Sequence, residues 1–345
     1  MFRYMARQTF EFVNEPVILS AASVVGTKEG AGPMGKWFDV VSDDDTFGES
    51  TWEKSESRML KTAVKRAIDK AGKTESEIDV MLCGDLLNQL MSSSFMARDL
   101  GIPFLGLYGA CSTMTESLLL AAVVTDGRYC KLAVNGASSH FCSAERQFRM
   151  PLEHGNQKPP YAQSTVIGAG AMVLSADAPK AGRYVAVTGA TVGKIIDMGI
   201  KDSNQMGAAM APAAVDTVLT HFRETGRTIA DYDLIVTGDL GFTGSKIAID
   251  LLETAGVSSE LLHSRFVDCG TMIYEKETDF EGGGSGCGCS ASVLSGYFYK
   301  KLKTGELQRI LVLSTGALLS TISPFQGESI PGIAHAVVLE SKEGK

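Results

Sequence analysis

The stretch IDVMLCGDLLN at residues 78–88 returns as YDLIVTGDLGF at residues 232–242, an apolar run closed by Gly and Asp that sets Asp85 against Asp239. Working outward, DGRYCKLAV (126–134) matches TGELQRILV (304–312), and ACS (110–112) matches GCS (288–290). GAGAMVL (168–174) likewise matches GIAHAVV (332–338). Each match alone is weak, but together in one order they indicate a duplicated half whose loops have gained and lost residues. Within the first copy, residues 17–26 read as a buried strand, and Met59, Leu60, Ala63, Val64, Ala67 and Ile68 recur at helical spacing. Strand–helix alternation of this kind predicts an α/β protein with a largely parallel sheet covered by helices. The halves fall at residues 10–178 and 179–340. Two such halves around one core place a site where their paired elements meet.

Composition narrows the class. The 345 residues carry 32 Lys+Arg against 40 Asp+Glu, a net charge of −8 without a basic block, which argues against a nucleic-acid surface. Cys83, Cys111, Cys130, Cys142, Cys269, Cys287 and Cys289 are odd in number and scattered, the usage of a reducing interior. Glu11 and Glu15 interrupt any apolar signal segment, and the run Leu118–Val124 is far short of the roughly 18–20 residues of a membrane span. A chain without signal peptide or span is expected.

The duplication, with GLYGACSTMTESL at 106–118, resembles the thiolase-like fold, which includes the condensing β-ketoacyl synthases. That resemblance implies two pseudo-repeated α/β halves in a five-layered α-β-α-β-α arrangement, with Cys111 opening the central helix. A Cys in the first turn of a helix meets unpaired N–H groups and the positive dipole end, which favour thiolate. The alternative is a small residue buried between strand and helix. The condensing family also needs a His and an Asn (or second His) from its second half. Here Asp239 stands where the His is expected, and GGGSGCGCSAS (282–292) supplies Cys287 and Cys289 in place of the other. An ionised carboxylate only accepts hydrogen bonds and cannot hold a thioester oxyanion. No catalytic residue is established on this reading. A binding pocket is expected, the alternative being an acyl-CoA-dependent acyltransferase with Cys111 as nucleophile.

The remaining polar residues complete the expected pocket. Of the five His, His335 interrupts the apolar final strand and is placed in the pocket, with His140 next; His221 and His263 read as structural, and His154 lies in a polar loop. The Cys-x-Cys at 287–289 lacks partners at ligand spacing, so no metal site is expected. The glycines before it suggest an anion cradle, with helix starts at Cys111 and Cys289 aimed at one cavity. The expected ligand-binding set is Asp85, Cys111, Ser138, Ser139, Asp239, Cys289 and His335. Lys194, Arg146 and Arg149 are possible sources of positive charge, each otherwise a solvated surface residue.

Longer phrases carry a narrower resemblance. SAASVVGTKEGAGP (20–33), PFLGLYGACSTM (103–114), DYDLIVTGDLG (231–241), GGSGCGCSA (283–291) and QGESIPGIAHAVVLE (326–340) closely resemble the stage V sporulation AD family of spore-forming bacteria. The resemblance implies a thiolase-like protein without established catalysis that binds dipicolinic acid, pyridine-2,6-dicarboxylate, free or as its calcium chelate. It implies a part in loading that compound into the developing spore and releasing it at germination. The implied partners are membrane proteins of the stage V sporulation A set, at the periphery or cytoplasmic face of the spore inner membrane. No cofactor is implied beyond calcium accompanying the ligand, and homodimers are common in the fold.

Overall fold

The first half begins with strand β1 (Val17–Val25), helix α1 (Trp52–Lys70) and strand β2 (Val80–Gly84). It continues with α2 (Met91–Leu100), β3 (Phe104–Gly106), α3 (Thr113–Asp126), β4 (Leu132–Ser139), α4 (Phe141–Phe148) and β5 (Gly168–Ser175). The second half runs β6 (Arg183–Thr191), α5 (Met206–Thr225), β7 (Leu234–Thr237), α6 (Gly241–Thr254) and β8 (Phe266–Asp268). It closes with α7 (Cys287–Val293), β9 (Arg309–Ala317) and β10 (Gly332–Glu343). This computed structural model describes residues 3–4, 7–148, 159, 161–275 and 282–344.

The strands follow one hydrogen-bonded path, β8-β7-β9-β10-β6-β1-β5-β4-β2-β3, which reads the same in both directions once the halves are exchanged. The two duplicated stretches therefore supply β2 and β7, each second from an edge. The sheet is mixed rather than largely parallel. Along this path β4-β2-β3 and β9-β7-β8 are parallel, whereas β5 and β10 run against their neighbours. The reason is visible at β9 and β10, where residues 318–331 contain only a short 3-10 turn and no crossover helix, so the chain reverses beside itself.

Side-chain alternation builds the layers. On β4, Leu132 and Val134 pack with α1 residues Met59, Leu60 and Val64, whereas Ala133 and Ala137 pack with Met114 and Leu118 of α3. On β10, Ala334, Ala336 and Val338 face α5, while Val337 and Leu339 join the central core with α3 and α7. The result is α1/α2, a half-sheet, α3 and α7, a second half-sheet, and α5/α6, the five-layered arrangement. Helices buried on all sides need no polar face, which is why α3 carries an apolar body with only Glu116 and Asp126 as charges. No helix among the described residues is long and apolar enough to cross a membrane.

Two helix starts differ from expectation. Helix α3 opens at Thr113, so Cys111 lies just ahead of it. Helix α7 opens at Cys287, so Cys289 sits inside its first turn, and a wider π turn at Leu294–Phe298 follows.

Candidate functional site

Cys111 is placed by a sharp turn. Ala110 before it adopts φ +50°, a left-handed conformation that a non-glycine residue takes only when its surroundings hold it there. The holding contacts are the Ser112 and Thr113 hydroxyls, which donate to the carbonyls of Gly109 (2.7 Å) and Ala110 (2.7 Å). From the facing half-sheet, Gly316 packs so closely that a Cβ there would come within 2.4 Å of the Gly109 carbonyl.

The turn sets Cys111 into the wall of a small chamber of about 40 Å3. Its walls are chiefly apolar: Leu86, Ala144, Phe148, Met206, Ala317 and Leu319. Tyr108, Thr165 and Ser285 bring hydroxyls and Glu145 a carboxylic acid; among the described residues the lining holds no Lys, Arg or His. Tyr108, Phe148 and Leu319 also border an outer cavity of about 280 Å3 reaching Asn88, Gln89 and Ser320. These three side chains thus form the partition between the inner and outer spaces.

Asp239 lies directly behind Cys111, fully buried. Its Oδ1 accepts from the Thr315 hydroxyl at 2.7 Å, and its Oδ2 from the Gly286 amide at 2.9 Å and the Ser285 hydroxyl at 3.3 Å. It also shares a side-chain hydrogen bond with Cys111. Burial pushes the Asp239 carboxyl up to about 7 against these stabilising bonds, with Asp268 adding repulsion. The Cys111 thiol is driven well above its ordinary range, first by burial and then by Asp239 and Cys287. The expectation of a thiolate is therefore corrected. A helix start attracts negative charge only while its amides are exposed to it, and here desolvation and a neighbouring acid prevail.

The glycine-rich entry to α7 is likewise not an open cradle. The Gly286 amide is bound to Asp239, the Gly288 amide to the Ser139 hydroxyl at 3.1 Å, and the Cys289 amide to the Gly286 carbonyl at 2.9 Å. The protein's own side chains fill the positions an anion was expected to take.

The other expected site residues separate into different layers. Ser138 and Ser139 are consecutive on β4 and so point to opposite faces. Ser139 donates to the Val166 carbonyl on the inner side, whereas Ser138 donates to Glu56 of α1 at 3.2 Å on the outer side. Asp85 accepts from the Leu87 amide (2.8 Å), the Ser93 amide (2.7 Å) and the Ser93 hydroxyl (2.6 Å), fixing the start of α2. The Cys289 thiol donates to the Gly238 carbonyl at 3.5 Å. His335 accepts from the Gly193 amide at 3.2 Å and lies outside the chamber lining; burial pulls its imidazole down to about 4. Of the expected set, only Cys111 lines the chamber, with Asp239 bonded behind it.

His140 bonds the Asp45 carbonyl and stacks near Trp52, and His221 joins Thr191 to Tyr232; both serve packing. His263 is exposed at a helix end beside Glu253. Lys194 faces Asp216 at 3.8 Å and Arg146 pairs with Glu53, so neither turns to the chamber. Arg149 and His154 lie outside the described residues. Among the described residues no cluster of His, Cys, Asp and Glu could hold a metal ion.

Sequence reasoning missed Glu56 and Glu145. Glu56 is fully buried, and burial together with Asp85 raises its carboxyl far above the usual range. Its signal was legible, since it falls on the apolar stripe of α1 with Met59, Leu60 and Ala63, where a lone acid is out of place. Glu145 sits on α4, a helix that the periodicity did not reveal.

The palindromic strand path around two buried central helices defines a thiolase-like protein, and comparison with solved structures agrees. A tetronic acid condensing enzyme, AbyA1, superposes with TM-score 0.61 at 16% identity, covering 94% of this chain and 99% of that one. The 3-oxoacyl-[acyl-carrier-protein] synthase III of Aquifex aeolicus gives TM-score 0.59 at 12% identity, again over 94% and 99%. An OleA variant from Xanthomonas campestris gives 0.61 at 14%, over 95% and 99%. Residues 6–340 match the family described as Stage V sporulation protein AD. The Stage V sporulation protein AD of Bacillus subtilis is 44% identical over 338 residues, 98% of each chain. The chain belongs to that sporulation family.

Proposed function

We propose that this protein is a non-catalytic binding protein for dipicolinic acid, free or calcium-chelated, acting in its uptake into the developing spore and its release at germination. The observation that carries the reading is the Cys111 chamber, behind which a carboxyl, Asp239, stands where the condensing family places a His to hold the thioester oxygen; an ionised carboxylate cannot donate to that oxygen. Apolar walls suit the faces of a pyridine ring, and the Tyr108 and Thr165 hydroxyls suit its carboxylates. The inner chamber alone holds about one water. Joined to the outer cavity across Tyr108, Phe148 and Leu319, it reaches the lower end of small-molecule sites, roughly 300 Å3. Binding on this reading moves that partition.

Transport across a membrane then requires membrane partners, and the proteins of the stage V sporulation A set are proposed for that role at the periphery of the spore inner membrane. Acyl transfer with Cys111 is the competing reading that the fold suggests. It needs a nucleophilic thiolate and free oxyanion donors, whereas here the thiol is held protonated and the Gly286 amide is committed to Asp239. Equilibrium titration of the purified protein with metal-free dipicolinate and with its calcium chelate tests the proposal. Saturable binding of either form is expected; its absence in both overturns the reading. Incubation with acyl-CoA donors should give no Cys111 adduct by intact mass, and a Cys111-dependent adduct would favour the enzyme.

A further inference from the structure

The most exposed apolar side chains of the molecule are not scattered. Phe325 is 90% exposed, Met198 67%, Ile322 63% and Ile195 61%; among the described large hydrophobic residues only Tyr129, at 81%, matches them. All four lie on two loops, residues 192–205 and 318–331, that are bound to each other. Ile196 and Gly332 exchange both backbone bonds, at 2.9 and 2.7 Å, and the Ile330 amide donates to the Ile200 carbonyl at 2.7 Å. The Lys201 ammonium donates to the Gly327 carbonyl at 2.6 Å, and the Ser329 hydroxyl to Asp197 at 2.5 Å. The pair is an ordered ridge that holds its apolar side chains out in water. Proteins seldom gather such side chains in one place unless something covers them.

The character of the ridge selects what covers it. Its loops carry Lys194 and Lys201 against Asp197, Asp202 and Glu328, on a chain of net charge −8, so neither loop is built to attract a charged surface. What remains is apolar insertion. Side chains spread along two loops suit a fluid that moulds around them, whereas a folded partner would need a matching groove. The bonds between the loops also satisfy backbone groups that would otherwise resist leaving water. The loops lead straight to the site as well: Leu318, Leu319 and Ser320 border the outer cavity, and Met206 lines the inner chamber.

We infer that Ile195, Met198, Ile322 and Phe325 dock the protein on a phospholipid bilayer, entering the boundary between headgroups and acyl chains. The inference rests on the membrane-periphery reading above and adds the face that meets the membrane, with the cavity mouth beside it.

The test is flotation of the whole protein with phosphatidylcholine vesicles, with equal parts phosphatidylcholine and phosphatidylglycerol, and with spore inner-membrane vesicles. Flotation with phosphatidylcholine that survives about 1 M salt is expected, because apolar insertion is not screened. Ile322→Ser combined with Phe325→Ser should lower the bound fraction at least about tenfold, and Tyr129→Ser should leave it unchanged. Phe325→Trp should gain an emission that brominated phosphatidylcholine quenches. Wild-type flotation with spore membranes but with neither pure lipid overturns the inference and keeps the periphery reading, a membrane protein then being the anchor. Flotation with none of the three overturns both. Binding to the anionic vesicles alone and lost in salt, or a dimer in sedimentation that the two Ser substitutions dissociate, overturns the inference in favour of charge or of a second copy.

Discussion

Asp85 and Asp239 close the same strand in the two halves, both fully buried, and the fold uses them differently. Asp85 spends its carboxylate locally, on the Leu87 and Ser93 amides and the Ser93 hydroxyl within eight residues of itself. Asp239 reaches across the core to Thr315 and Gly286 and to the Cys111 thiol of the opposite half. The helices that follow explain the difference. After Asp85 the chain must order a short 3-10 turn with positive φ at Gln89 and Leu90 before α2 begins, and the aspartate supplies the bonds. After Asp239 the chain enters α6 almost at once, and the Leu240 and Gly241 amides are served by Asp268, leaving Asp239 free to look inward. Duplication provided two equivalent acids; only Asp239 bonds the Cys111 thiol that lines the chamber.

Substituting each acid should break this pairing most plainly. Asp85→Ala strands the buried Leu87 and Ser93 amides and is expected to cost about 3–4 kcal/mol in urea unfolding, without a specific effect on Cys111. A loss below about 1 kcal/mol would show that the turn does not depend on it. Gly286→Ala comes next, expected to lose about 2–3 kcal/mol: Gly286 has φ +94°, and a Cβ would sit 2.6 Å from the Ser139 hydroxyl. An unchanged midpoint would mean that this amide does not hold Asp239 and α7 together.

Stability against pH sharpens the comparison further. Asp239 has its folded-state carboxyl raised to about 7 from an ordinary 3.8, so the folded protein holds that proton more tightly than the unfolded chain. Its favourable contribution is complete below about pH 4 and is lost as pH rises toward 7. Asp239→Asn should flatten that decline and cost only about 1–2 kcal/mol at low pH; an identical pH profile in the variant would count against the raised carboxyl. The smallest expected effect is kinetic. Wild-type Cys111 should react with iodoacetamide more than about tenfold slower than an unhindered thiol, and Asp239→Asn should speed it several-fold by removing the adjacent charge. Asp85→Asn should leave the rate unchanged, and equal acceleration by both would erase the distinction between the two acids.

The duplicated phrases carried the succession of strands and helices along the chain and set Cys111 next to α3, because short apolar runs carry that information locally. They also located Asp239. The grouping of Ser138 with Ser139 failed because alternation on β4 sends consecutive side chains to opposite layers. The anion cradle failed because the Gly286 and Gly288 amides are taken by Asp239 and Ser139, partners distant in sequence. Glu145 stayed hidden in a short helix whose boundaries lie in no periodic pattern.

What the sequence alone determined is the architecture: repeated strand-and-helix units, buried central helices, and an aspartate where the condensing family has a His. Tertiary structure decided the chemistry of that substitution. Whether a helix start stabilises a thiolate, and whether an aspartate is ionised, depends on water exclusion and on which distant groups converge. Around Cys111, burial and Asp239 outweigh the helix dipole and hold the thiol protonated.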